Sequence, residues 1–158
     1  MGTFDFYGSV VENVSKTYPS ITDAQRAFIA GASLSAAEIL VEDGRISAIN
    51  NAREDNYNAD TSNIVRHFQT ERITDESAYE IARDIARFVM HTWNVAEKFD
   101  ADSVGYHFVM TRNGEGVSFK DDQRFPDGGS YLAFVTENLF GFPWHCEADE
   151  TGVSIYAM

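Results

Sequence analysis

Apolar residues recur at helical spacing over long stretches of this chain and alternate with polar ones in a few short stretches, a pattern that predicts helices first and a small sheet late. Over residues 4–18, Phe6, Val10, Val11, Val14 and Tyr18 fall near one stripe, and Pro19 ends it. Thr22-Asp-Ala-Gln25 is a capping box: the threonine oxygen takes the Gln25 amide while the glutamine side chain reaches back. The helix it opens is expected to run to about Asp43, ahead of Gly44, with Phe28, Ile29, Ala32, Ala36, Ile39 and Leu40 facing the core. Its small run Ala30-Gly-Ala-Ser33 admits close approach of another element. From 44 to 63 the chain is polar and rich in Asn, Asp and Ala, which predicts a mobile loop with a short strand over 45–49. Ile64–Phe68 reads as a brief helical turn or strand.

The strongest helix follows Thr74, whose hydroxyl caps it while Asp75 and Glu76 sit against its positive end. Ala78, Ile81, Ala82, Ile85, Phe88, Val89, Trp93 and Ala96 keep the spacing of one buried face. Beyond it, Gly105 to Asp121 reads as a β-hairpin closed by Asn113-Gly114, the dipeptide suited to a type I′ turn. That turn pairs Arg112 with Glu115, Met110 with Val117, Phe108 with Phe119 and His107 with Lys120. Tyr106, Phe108, Met110, Val117 and Phe119 then share one face, against the 74–98 helix. A polar loop through Asp121, Asp122 and Pro126 leads to a short helix over 130–140, ended by Gly141. Trp144–Ala148 and Val153–Ala157 read as two further strands about a turn at 149–152. The order predicts an α+β fold, a small antiparallel sheet with helices packed on one face, in a single compact domain over residues 1–158.

Composition narrows the class. At 44% hydrophobic and 13% aromatic the chain is not of disordered type. No apolar run approaches the roughly 20 residues of a membrane helix. The start Met1-Gly-Thr-Phe-Asp lacks a basic region, so no secretory signal is expected, and Phe6 stands where a myristoylation motif wants Ser or Thr. A single cysteine, Cys146, excludes an internal disulfide and fits a reducing cytosol. The formal net charge is −13, from 12 basic and 25 acidic side chains spread over both halves. Such a surface repels phosphates, so direct nucleic-acid binding is not expected; it serves solubility, or engages a protein with a basic surface.

The stretch Gly105–Asp121 resembles a family of small, functionally uncharacterised tailed-bacteriophage proteins. Their signature is approximately Gly-His-Asp-Phe-Trp-Leu-Thr-Arg-Asn-Gly-His-Gly-Ala-Gly-Phe-Trp-Asp. Gly105, Phe108, Thr111, Arg112, Asn113, Gly114, Gly116, Phe119 and Asp121 match it. Tyr106, His107, Val109, Met110, Glu115, Val117, Ser118 and Lys120 depart from it, so both tryptophans and the His-Asp pair are missing. Ile73-Thr-Asp-Glu-Ser77 and the closing strand, turn and strand near 144–157 are similar as well. The resemblance implies phage or prophage origin and a compact α+β fold, and it lends no activity.

No local spacing spells out a reaction. A tight hairpin would project Arg112 and Glu115 side by side, so Arg112, Asn113, Glu115 and the adjacent Asp121 and Asp122 form the expected partner-binding site. The plainer reading makes Asn113 and Gly114 turn formers and Arg112–Glu115 a surface ion pair. His67, His91, His107 and His145 lack chelating spacing, so neither a metal nor another cofactor is expected. Acidic neighbours disfavour Cys146 as a nucleophile. These readings converge on an acidic, phage-encoded accessory protein that binds a host protein stoichiometrically in the cytosol, as an inhibitor of a defence or nucleic-acid-handling system. The competing class is a small metal-dependent hydrolase or nucleotide-binding enzyme using Asp121, Asp122, His145 and Glu147. The third is a self-associating structural phage protein. An exposed cluster among Phe4, Phe6, Tyr7, Tyr18, Phe142 and Trp144 would mark a homodimer or partner surface.

Overall fold

A long central helix organises the computed structural model, which describes residues 6–121 and 128–158. A π-helical turn, Phe6–Val10, leads into α1, Val11–Thr17. The capping box forms as expected: Gln25 N donates to Thr22 Oγ1 at 3.1 Å and Thr22 N to Gln25 Oε1 at 2.9 Å. The helix it opens, α2, does not stop before Gly44 but spans Asp23–Asp55, about 50 Å. The expected mobile loop and its 45–49 strand are therefore corrected over 44–55. Glycine ends a helix only where the chain must turn left-handed. Here its missing side chain serves packing. A Cβ on Gly44 would stand 2.8 Å from Phe68 Cε1 and 3.1 Å from Cys146 Sγ. A short helix α3, Ser62–His67, and a 3₁₀ turn, Thr70–Arg72, then lead to α4, Asp75–Ala96. Thr74 caps α4 by accepting from Ser77 N at 3.2 Å.

The expected hairpin is absent. Its first half is a helix, α5, Ala101–Asn113, ended by Gly114 at φ 66°. Asn113 stays at negative φ, so the two left-handed residues of a type I′ turn do not occur. Instead Glu115 N donates to Met110 O at 2.9 Å and Gly114 N to Thr111 O at 3.3 Å, the paired bonds of a glycine-terminated helix. The expected partners 115–120 form no strand; they continue as turns. The face expected to be buried is nonetheless buried in part: Phe108 and Phe119 are fully enclosed, whereas Val117 is exposed. Phe88 of α4 meets both, with ring centroids 4.9 and 5.8 Å away.

Small residues let α5 lie against α2. A Cβ on Gly105 would stand 2.2 Å from the Ala32 carbonyl oxygen, so the two backbones touch at the Ala30–Ser33 run. Helix α6, Gly129–Leu139, follows residues 122–127, among which Asp122 lies outside the described residues. The chain closes with β1, Trp144–Asp149, and β2, Gly152–Ala157, antiparallel in the register Trp144↔Ala157 to Asp149↔Gly152. Trp144, Val153 and Ile155 are buried and Cys146 and Ala148 half-buried on the inner face, while His145, Glu147, Asp149 and Ser154 are exposed on the other. The fold is thus α+β, with helices on one face of a two-stranded sheet.

Three substitutions separate these packing arguments. Gly105→Ala should cost ~3 kcal/mol or more, because a backbone oxygen cannot yield as a side chain can. Phe108→Ala should cost ~3–5 kcal/mol. Gly114→Ala, with open space around it, should cost only about 1 kcal/mol of left-handed strain. Urea midpoints at constant slope give all three. A Gly105→Ala protein as stable as the parent would refute the close crossing of α2 and α5.

Candidate functional site

The residues expected to contact a partner divide into a buried anchor and an acidic rim. Arg112 does not project from a turn. Its side chain is 4% exposed, and Nη1 donates to Asp84 Oδ2 of α4 at 2.8 Å. Nε donates to the Phe142 carbonyl at 2.7 Å. The guanidinium lies 4.1 Å from the Trp144 ring centroid and 5.3 Å from that of Phe140. Burial pulls the Arg112 pKa down, while the hydrogen bond and charge of Asp84 hold it up. The expected Arg112–Glu115 pair is thus replaced by Arg112–Asp84. Asn113 is also internal in its bonding: Oδ1 accepts from Trp144 N at 2.8 Å and Nδ2 donates to Trp144 O at 3.1 Å. Its side-chain amide pairs with the start of β1 as a neighbouring strand would.

Glu115 and Asp121 are exposed, and Asp121 accepts from Ser118 Oγ at 2.9 Å. Of the residues of the enzyme alternative, Asp122 lies outside the described residues, and His145 and Glu147 both contact Tyr156. His145 stacks on Tyr156 at 5.6 Å, and Glu147 accepts from the Tyr156 hydroxyl at 2.8 Å. Among the described residues no three His, Cys, Asp or Glu side chains stand close enough to hold a metal ion. Of the aromatics considered as a surface cluster, Trp144 is buried, Tyr18 half-buried and Phe142 exposed. Phe4, Phe6 and Tyr7 fall outside the side chains described.

The feature that the sequence reading missed is a groove beside β1. It holds about 520 Å³ and is lined by residues of Gly44–Asn51 of α2, Ile64–Phe68 at α3 and Cys146–Asp149 of β1, and reaches Gly152 and Ser154 of β2. A smaller depression of about 220 Å³ shares Gly44, Ser47, Cys146 and Glu147 with it and reaches Asp43 and Glu115. Together they bring Asp43, Glu115, Glu147 and Asp149 to one continuous surface. Burial, then the charges of Glu115 and Glu42, push the Asp43 carboxyl up. Bonds from the Thr151 side chain and backbone hold Asp149 low. Burial, with Glu147 and Asp43, pushes the Cys146 thiol up to about 12, so it is a structural group beside the groove rather than a nucleophile. A separate depression of about 280 Å³, by Met90, Trp93 and Tyr131, carries no carboxylate.

No family model, curated protein or solved structure matches the chain. Among the described residues no helix is long and apolar enough to cross a membrane.

Arg112→Met should cost ~3–5 kcal/mol by leaving half-buried Asp84 only the longer contact with Arg83 at 3.7 Å, and adding Asp84→Asn should recover part of it. A double-mutant cycle in urea measures both. Alkaline pH should act on Cys146. Its folded pKa is about 12 against 9.0 for the ordinary thiol, so its contribution is fully present below pH 9 and is lost as pH rises toward 12. Cys146→Ser should flatten that part of the stability–pH curve, and iodoacetamide at pH 8 should label the native protein far more slowly than the unfolded one. Rapid labelling of native protein would contradict the burial.

Proposed function

We propose that this chain is a phage- or prophage-encoded acidic accessory protein. It binds a host protein with a basic surface stoichiometrically, in the host cytosol, and inhibits a defence or nucleic-acid-handling complex. The observation that carries the reading is the convergence of Asp43, Glu115, Glu147 and Asp149 on one grooved surface of a chain with net charge −13. A concave acidic surface focuses its field on an approaching cation, and steers association by an oppositely charged partner. The Gly105–Asp121 resemblance to phage proteins supplies the origin. Arg112 serves this function only by holding Asn113 and β1 in place, whereas Glu115 and Asp121 remain on the accessible rim.

Affinity purification of the tagged chain from infected cells, repeated at rising salt, tests the reading. A stoichiometric partner should be held at low salt and released as the Debye length falls from ~10 Å near 0.1 M toward ~3 Å near 1 M. Charge reversal by Glu147→Lys with Asp149→Lys should slow association about tenfold or more, since steering spans one to three decades of on-rate. Reversal at Asp121 should slow it less. Binding that ignores both salt and these reversals would overturn the electrostatic reading. A large assembly of the chain alone, seen by light scattering, would favour a self-associating structural protein.

A further inference from the structure

The sheet has two outer edges, and the molecule treats them differently. On β2, Val153 O accepts from Thr74 N at 3.0 Å, and Ile155 N donates to Ser77 Oγ at 2.9 Å. These bonds show that Val153 and Ile155 turn their backbone groups away from the ladder. Their direct opposites on β1 are Ala148 and Cys146. In an antiparallel pair, opposed residues of this kind both point their N–H and C=O groups outward. The N–H and C=O of Cys146 and Ala148 therefore face the free edge of β1. Among the described residues no donor or acceptor meets them. The edge is blocked at one end, where Asn113 holds Trp144 N and O; at the β1–β2 turn, Arg72 Nη2 donates to the carbonyls of Asp149 and Glu150 at 2.8 and 3.1 Å. Beyond Trp144, Cys146 and Ala148 line the 520 Å³ groove.

We infer that the groove receives an extended segment of the partner, which adds to β1 as a third strand. The inference rests on the basic-partner reading and gives it a binding mode. Main-chain bonds to Cys146 and Ala148 would hold the segment, and alternate side chains would set its identity. Residues pointing to the outer face lie beside His145, Glu147 and Asp149, all exposed, so they are Lys or Arg. Residues pointing inward meet Ala48, Ile64 and Phe68, so they are small and apolar. The occupant is therefore a basic-apolar alternating strand. A second copy of this chain is disfavoured, because β1 against β1 would set its own Glu147 and Asp149 against like charges.

The test uses the full chain and a fluorescent Lys-Val-Lys-Val-Lys-Val peptide, with the same peptide N-methylated along its backbone as a control of equal charge. The proposal expects saturable binding of the first peptide and slowed hydrogen exchange at the Cys146 and Ala148 amides. N-methylation should weaken binding about tenfold or more, the effect of losing one or more main-chain bonds. Ala148→Pro should do the same while leaving the thermal transition in place, because proline is tolerated at an edge whose N–H lies outside the ladder. If that variant fails to fold, the N-methylated peptide still decides. Equal binding of both peptides without amide protection would overturn strand addition while leaving the basic-partner reading intact. Binding of neither peptide by a chain that still captures a basic partner would also overturn it. Protection of the two amides that rises with protein concentration alone would assign the edge to a second copy and overturn the proposed occupant.

Discussion

A guanidinium removed from water needs a counter-charge, acceptors for its remaining N–H groups and a flat surface for its face. Arg112 obtains each from a different part of the chain: Asp84 from α4, the Phe142 carbonyl from the segment after α6, and Trp144 from β1. Because those groups are far apart in sequence, the pair works as a register pin. It fixes the rotation of α5 about its axis, and with it the position of Asn113. Asn113 in turn holds Trp144 N and O, so the start of β1 is tied to α5 through one arginine and the residue after it. The Phe88, Phe108 and Phe140 rings pack around this point and exclude solvent from it.

What the sequence made legible and what it hid have specific causes. The α4 stripe, the two caps and the closing strands were readable because each rests on local chemistry: Thr22 with Gln25, Thr74 with Ser77, and Asp149 with Thr151. The Ala30–Ser33 run also announced a close crossing correctly, since small side chains serve little else on a buried face. Asn113-Gly114 misled because glycine at positive φ terminates a helix as readily as it closes a hairpin. Val104, His107, Phe108 and Thr111 follow helical spacing just as Tyr106, Phe108 and Met110 follow alternation. Helix α5 is buried nearly all round, with Val104, Gly105 and residues 107–111 enclosed, so neither period stands out.

Two other failures came from tertiary context. Gly44 looks like a terminator until Phe68 and Cys146 are seen to occupy the space of its missing side chain. The groove was invisible because its active groups are backbone. Whether the amides of Cys146 and Ala148 are paired depends on what stands beside β1, and no side chain of β1 records that. Of the residues read as a contact site, Glu115 borders the groove surface, while Arg112 and Asn113 shape it from within.

An unpaired strand edge is ordinarily a hazard, since any exposed strand can add to it. Here the open stretch is short, stopped by Asn113 at one end and by the turn after Asp149 at the other. It borders the groove that α2 and α3 also line. Glu147 and Asp149 flank it on the exposed face, so an approaching copy of the same edge meets its own charge. These features act in opposite directions on two kinds of visitor. On the proposed reading, like-charge repulsion raises the barrier to self-association, while the same carboxylates lower it for a basic segment. On the same reading, the acidity placed beside the few main-chain groups left open selects which strand can complete the sheet.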